Sequence, residues 1–538
     1  MTFFLFHSLF HPSPPITTPM RALVVTGRLA EEMVRGAVGD RADVLVMNVD
    51  VASFITPKML REAAPKGYDI ILIPGAITAD FGPVEREFGT KIRLGPKHAV
   101  DLRRVVPLLG EVELSTTIPA CVLLEERMRE GARAAIEKLE ARAKALMEIK
   151  GVKVGGESRM KVLAEIVDAT RFDDLGLAEK VRHFEREGAD MIDLGLPLDA
   201  DPSDVARSVR VAKEATALPV SVDTLRPDLI RAGIEAGCDL ILSLDGSNLD
   251  DAGEMAAAAG VPAVVLPGPG TSLEENLDRA LVLGVRAMAD PVLSPPLQGL
   301  ADSISRYREF HLAFPNVPLF FGVGNVTELI DADSQGVNGL LAAIGAEVGA
   351  SVLFTPEYSE KARGSIRELW TASEMMLLAR ARSSPPKDLG LDLLVLKEKH
   401  RRPEEEMPVE FETVAAVGRG GGGGGGGSGS AGVDGGEGRG DGKGDGEAEA
   451  GVGGHRWEMD PAGSFRIGVA KGKIMVRHDM ITLVGESARD ILGEIVDRGL
   501  VTRLDHAGYL GRELERAETA LRLGKSYSQD EPLFPTKN

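Results

Sequence analysis

Four aspartates, Asp168, Asp193, Asp223 and Asp290, each stand at the end of a short apolar run. Ser243 with Asp245, Asn325, and Thr355 with Glu357 stand at the ends of similar runs. Brought to one place, these carboxylates would repel one another unless a polar ligand, a metal ion or shared protons offset the repulsion. That arrangement suits binding a group rich in N–H donors, holding a cation, or moving a proton. Taken singly, each residue has a plainer role open to it, because Asp, Asn, Ser and Thr routinely cap the helix that follows.

The runs themselves say how such residues would meet. KVLAEIV, DMIDLG, LPVSVD, DLILSL, PAVVLPG, VRAMAD, PLFFGVG and ASVLFT are eight strand-like segments between residues 161 and 355, alternating with helical stretches. Eight βα units of this length predict a (β/α)8 TIM barrel, a fold that carries its chemistry on the loops after the strands. The acids are then expected to converge on one mouth.

Upstream, LVVTG, VLVMNVD and IILIPGA alternate with helical stretches, one of them over residues 56–64, and predict a doubly wound α/β domain with a parallel sheet. Gly27 and Gly75 lie at strand ends, yet neither belongs to a GxGxxG or Walker loop. Residues 89–98 read as a solvated loop in which Lys91, Arg93 and Lys97 would be able to hold an anion. Residues 118–150, rich in Ala, Glu, Lys, Arg and Leu, read as one or two helices.

The chain has 538 residues and a net charge of −20, which repels a phosphate backbone and argues against nucleic acid as a partner. No long uncharged apolar run suggests a membrane span, and Cys121 and Cys238 show no disulfide or metal spacing, so a cytoplasmic protein is expected. The expected organisation is an extension at 1–19, an α/β domain at 20–125, a helical connector at 126–155 and the barrel at 156–385. A small C-terminal α+β module begins at 386–417 and resumes at 455–538, interrupted by a glycine-rich insert at 418–454 that cannot bury a core. Near the end, Leu510, Leu514, Ala517 and Leu521 form a helical apolar stripe, and His506 at the helix start reads as a cap or a ligand.

The stretches GADMIDLG at 188–195, PVSVDT at 219–224 and Asp290-Pro291 resemble the pterin-binding family that contains dihydropteroate synthase and the methyltetrahydropterin-dependent methyltransferases. Residues 324–341 and 505–530 extend the likeness to the dihydropteroate synthase-related proteins of organisms that make tetrahydromethanopterin. The resemblance implies a pterin substrate held by Asp193, Asp223, Ser243, Asp290 and Asn325. Glu165, Asp168, Asp245, Arg226, Glu328 and Glu357 are accessory candidates. It further implies transfer of 6-hydroxymethyl-dihydropterin from its diphosphate to an arylamine, a ribofuranosylaminobenzene phosphate, with Mg²⁺ as helper and a homodimer as the working form.

The departures from that pattern are specific. Glu165 to Asp168 stand where dihydropteroate synthases place an Asn after the first strand, and Ser243 stands where they place another after the fourth. Gly324-Asn325-Val326-Thr327 replaces a serine-arginine-lysine, no Arg-x-His follows the last strand, and residues 196–201 lack an expected arginine. These cations would stabilise the departing diphosphate, so Arg226, a divalent metal, or Lys91, Arg93 and Lys97 folding over the mouth are the expected substitutes. Two other functions stay open: pterin binding without catalysis, and methyl transfer from a methyl-tetrahydropterin to a corrinoid protein. HAGYLGREL resembles a corrinoid-binding subunit, which would make His506 a cobalt contact.

Overall fold

The computed structural model describes residues 20–399, 404, 407–414 and 460–534. The expected extension at 1–19 and insert at 418–454 lie outside them. The chain divides into two units, Met1–Leu393 and Leu394–Asn538. Among the described residues no helix is long and apolar enough to cross a membrane.

The first unit opens with a parallel sheet of β1 (Ala22–Thr26), β2 (Asp43–Val46), β3 (Ile70–Ile73) and β4 (Lys91–Leu94), in the order β2-β1-β3-β4. Its strands are apolar at nearly every position because both faces are covered. Ala22, Val24, Ile70 and Leu72 face one helical layer, while Leu23, Val25, Ile71 and Ile73 face the other. The fourth strand corrects the expectation of a solvated loop at 89–98. Ile92 and Leu94 alternate inward with Lys91 and Arg93, and Ile70 to Ile73 pair with 91–94 along their whole length.

The helix Ala120–Arg142 leads out of this domain and packs Ala132 and Ile136 against Leu377, Leu378 and Ala379 of the helix Ser365–Arg382. Helical composition had been expected to continue to residue 150. Instead a β-hairpin forms from β5 (Met147–Ile149) and β6 (Val152–Val154). The positive φ of Lys150 (46°) and Gly151 (84°) makes the two-residue reversal such a hairpin needs.

The eight expected barrel strands are those found: β7 (Lys161–Ile166), β8 (Met191–Gly195), β9 (Val220–Asp223), β10 (Leu240–Leu244), β11 (Ala263–Val265), β12 (Ala287–Ala289), β13 (Leu319–Gly322) and β14 (Ala350–Pro356). They close into a parallel barrel, with β14 paired to β7. Inside it, Leu163, Met191, Leu240, Leu242, Val264, Met288, Phe320 and Val352 form one core, and Ile149 and Val154 of the hairpin complete it. The hairpin lies at the N-terminal end of the barrel, since Lys150 donates to the Leu218 carbonyl and Arg286 to the Glu148 carbonyl, both beside strand starts.

A buried polar cluster fastens this end. Arg159 binds Asp190 at 2.6 Å and the Ser373 hydroxyl at 2.8 Å, while Glu140 accepts from the Arg159 backbone, the Ser158 hydroxyl and Lys161. With its N-terminal end filled and pinned, the barrel keeps its open end at the C-terminal tips of the strands.

In the second unit, β16 (Phe465–Ala470), β17 (Lys473–His478) and β18 (Thr482–Gly485) form an antiparallel sheet, and the earlier β15 (Glu412–Thr413) runs parallel to β18 at its edge. The helices Ala488–Asp497 and Leu504–Leu523 cover one face, burying Ile491, Ile495, Leu510, Leu514 and Ala517. His506 is taken up within this unit: its Nδ1 lies 3.0 Å from Asp460, whose carboxylate also accepts from the backbone N–H groups of Ala462, Thr502 and Arg503.

Candidate functional site

The register of the first three barrel strands determines which acids meet. Glu165 of β7 lies opposite Asp193 of β8, and Asp193 lies opposite Ser221 of β9. Asp223 ends β9 two residues on, so its side chain turns to the same face as Ser221. The outcome is a triad in which Glu165, Asp193 and Asp223 each bring a carboxylate oxygen within 4.8 Å of the others.

Asp193 is fully buried. One of its oxygens accepts the Ser221 hydroxyl, and the other, Oδ2, is buried with no donor among the described residues. Burial, and then the charges of Asp223 and Glu165, raise its pKa well above the ordinary carboxylate value. Burial likewise pushes Glu165 up to about 7, with the charges of Asp223, Glu328 and Asp168 adding to it. Asp223 is pushed up to about 7 by burial, against the pull of a hydrogen bond from the Ser243 hydroxyl and with the Asp290 charge adding to the rise.

Asp290 follows β12 and is nearly buried, at 8% exposure. The Tyr307 hydroxyl and the Val292 backbone, at 2.8 Å, both donate to its Oδ1. Burial pushes Asp290 up to about 6, and these two donors restrain the rise. At neutral pH the four acids therefore hold protons among them, as a set able both to accept and to donate hydrogen bonds. Such a set recognises the edge of a heterocycle that alternates N–H groups with lone pairs. The same hard oxygens on Glu165, Asp193 and Asp223 also fit a divalent ion such as Mg²⁺, because the unmatched Asp193 Oδ2 is a ready ligand.

The remaining candidates are placed as follows. Asn325 is exposed just past β13, its Nδ2 donating to the Leu293 carbonyl at 2.9 Å. Asp245 is engaged in its own turn, accepting from the Ser247 backbone at 2.8 Å and the Ser247 hydroxyl. Glu328 accepts from the Tyr358 backbone at 3.0 Å and from the Ser359 hydroxyl, and so ties the loop after β14 to the one after β13. Glu357 accepts from the Ile366 backbone at 3.2 Å and faces His183 at 3.8 Å. Asp168, with φ 53°, pairs with Arg171 at 3.5 Å.

The cations are distributed differently from the expectation. Arg226 binds the Leu198 carbonyl at 3.1 Å, the Ala200 carbonyl at 3.0 Å, and Asp228 with its remaining groups. It is a brace for the loop after β8. Arg93 is held inside the N-terminal sheet by Glu85 and the Ile92 carbonyl, while Lys91 and Lys97 lie exposed on and after β4.

Three residues that contact the candidate acids or their loops are not marked by the sequence reading: Ser221, Tyr307 and Arg171. Ser221 was readable as an inward strand residue two before Asp223. Tyr307 sits in the helix Leu300–Ala313 with the spacing of an ordinary core residue, and nothing in the sequence distinguishes it. Arg171 lies in the loop after β7, one 3-10 turn from Asp168, and contacts Asp199 of the next loop at 3.4 Å.

Residues 164–278 match the family model of pterin binding enzymes, and residues 459–530 match the PterinBD-DUF4346 model. An uncharacterized protein of Methanocaldococcus jannaschii is 36% identical over 556 aligned positions, covering 96% of this chain and 99% of that one. A dihydropteroate synthase of Clostridium beijerinckii is 30% identical over 122 residues, which is 20% of this chain and 45% of that protein. Among solved structures, that of Yersinia pestis DHPS with a pterine-sulfa conjugate is similar, at 18% identity and TM-score 0.36, over 44% of this chain and 98% of that one.

Proposed function

This chain belongs to the dihydropteroate synthase-related family of pterin-binding barrel proteins, together with its full-length Methanocaldococcus jannaschii relative, and from that premise we propose that it transfers a pterin from a diphosphate ester to an arylamine. The observation that carries the reading is the convergence of Glu165, Asp193 and Asp223, with Asp290 near Asp223, and an oxygen of Asp193 buried with no donor among the described residues.

A pterin presents a 2-amino group and ring N–H groups beside a carbonyl and ring lone pairs. Ionised members of the acid set accept from the donors, and a protonated member donates to a lone pair, so the ring is held in one orientation by charge-assisted bonds. Held so, the pterin methylene faces the mouth. The bond from that carbon to the diphosphate oxygen breaks, the arylamine nitrogen forms the new C–N bond, and the amine proton passes to solvent or a mouth carboxylate. Positioning and charge stabilisation supply the rate, with no covalent enzyme intermediate. Mg²⁺, when bound, would neutralise charge on the leaving diphosphate; the substrate pair in this reading is 6-hydroxymethyl-dihydropterin diphosphate with a ribofuranosylaminobenzene phosphate.

A second reading, pterin binding without this transfer, is favoured by the charges at the mouth. Asn325 and Glu357 follow the last two strands, where a diphosphate would call for cations, and Arg226 is committed to its own loop. One experiment separates the two. The purified protein is titrated calorimetrically with 6-hydroxymethyl-dihydropterin diphosphate and Mg²⁺, and diphosphate release is then followed on adding the arylamine. Release that depends on the amine supports transfer, binding without release supports the second reading, and no binding removes both.

A further inference from the structure

We infer that Tyr307 is a positioning residue that fixes Asp290 so that a single carboxylate oxygen faces the ligand. The inference rests on the pterin reading above and goes past it to the residue that sets the direction of one recognition contact.

The Tyr307 hydroxyl donates its proton to Asp290 Oδ1. The Val292 backbone donates to the same oxygen at 2.8 Å. No described residue donates to Asp290 Oδ2, so that oxygen is left for whatever enters the mouth.

Tyr307 itself is out of reach of any ligand. Its side chain is fully buried, and its ring packs edge-on against Phe321 with centroids 4.9 Å apart. The ring therefore holds the hydroxyl still, and the hydroxyl holds the carboxylate still. A carboxylate free to rotate presents either or both oxygens to a ligand. One clamped at Oδ1 presents a single acceptor of fixed direction, which rewards an N–H donor in one place and nothing elsewhere. The charged groups around this contact are Asp223 from β9, which lies near enough for the two carboxylates to influence each other, and Arg306 beside Tyr307 on its helix.

The test measures affinity for 6-hydroxymethylpterin, which lacks the diphosphate, by quenching of its fluorescence. Wild type is compared with Tyr307→Phe, Asp290→Asn and the double variant, with melting temperature followed in parallel. Tyr307→Phe keeps the ring packing and removes the clamp, so affinity should fall ~10-fold, the size of one charge-assisted hydrogen bond misdirected. In the Asp290→Asn background the same change should cost little, because the two residues act through one contact. Equal losses in both backgrounds, or no loss in the single variant, overturn the inference while leaving the pterin reading in place. Failure of wild type to bind the pterin overturns both. Asp290→Glu gives an independent check that needs no change at Tyr307: it keeps the charge and gives up the position, and should bind as poorly as Asp290→Asn. Wild-type affinity in Asp290→Glu would also overturn the inference.

Discussion

Asp193 and Ser221 are register partners on neighbouring barrel strands, and the hydroxyl of one supplies the single side-chain hydrogen bond received by the carboxylate of the other. Since the second oxygen of Asp193 is buried with no donor among the described residues, Ser221→Ala would leave the carboxyl without side-chain support from them. Loss of a partner by a buried acid costs about 1–3 kcal/mol. Chemical denaturation should show that loss, and saturating pterin should recover part of it by supplying donors of its own.

Glu165 gives a pH dependence with a definite sign. Its pKa is pushed from 4.5 to about 7 in the folded protein, so the folded state binds this proton more tightly than the unfolded chain does. The corresponding stability is present below about pH 4.5 and is lost as pH rises through about 7. Glu165→Gln, measured in metal-free buffer, should therefore be more stable than wild type at pH 8, by about 1–2 kcal/mol. The difference should shrink at pH 5. An equal difference at both pH values would show that Glu165 titrates normally.

Asp223 closes the triad against Glu165 and Asp193 and carries the Ser243 hydroxyl. Asp223→Asn preserves the shape and that contact but replaces an ionisable acceptor with an amide. Affinity for the pterin should fall by ~10- to 100-fold, the range of a charge-assisted pair exchanged for a neutral one. The variant should melt no lower than wild type, since it removes a charge that burial disfavours. Calorimetry and a thermal scan of the same sample test both halves.

Arg171 and Arg226 should behave in opposite ways. Arg171 has two long contacts, 3.5 Å to Asp168 and 3.4 Å to Asp199, and is 61% exposed, so it is only weakly committed. Arg171→Ala should leave the melting temperature near wild type and weaken binding of inorganic diphosphate several-fold, ~1 kcal/mol. Arg226 braces two carbonyls of the loop after β8. Arg226→Ala should lower stability by about 1–2 kcal/mol and expose residues 196–201 to proteolysis. Unchanged diphosphate binding in Arg171→Ala would remove it as a stand-in for the missing cations.

The N-terminal end of the barrel should be sensitive to change. Ile149 of the hairpin is 2% exposed within the barrel core, and truncation to Ala there should cost about 2–5 kcal/mol. Arg159→Ala leaves the half-buried Asp190 without its cation and should cost about 1–3 kcal/mol. Both are measured by urea denaturation, with the barrel's own signal followed apart from that of the second unit.

The barrel was legible in the sequence because its strands are buried on both sides and so read as unbroken apolar runs, as in LILSL and LFFG. The polar residues closing those runs, Asp193, Asp223 and Asp290 among them, then fall at the C-terminal ends of the strands by topology. The hairpin at 147–154 was hidden in a helical composition. Its evidence is two positive φ angles at Lys150 and Gly151, and only the glycine advertises one. The strand at 91–94 was disguised by two cations on an edge. Tyr307 was invisible for a different reason: a tyrosine at a helical core position looks the same whether its hydroxyl meets a backbone carbonyl or an acid in the site. Whether Arg93 and Arg226 were available depended on which neighbours they had already found, and spacing does not reveal that.

The hairpin that fills the N-terminal end of the barrel also constrains traffic. With the barrel interior packed and its N-terminal end filled, the acids are approached from the strand tips, so whatever lies deepest there must enter first and leave last. In the transfer proposed above, two substrates would therefore bind in order: the one seated on the acid triad before the one that stops at the rim, with a molecule lodged at the rim trapping the one behind it. A rim-bound analogue should thus inhibit uncompetitively toward the deep ligand, and excess of the outer substrate should slow turnover by occupying the rim before the deep one has entered.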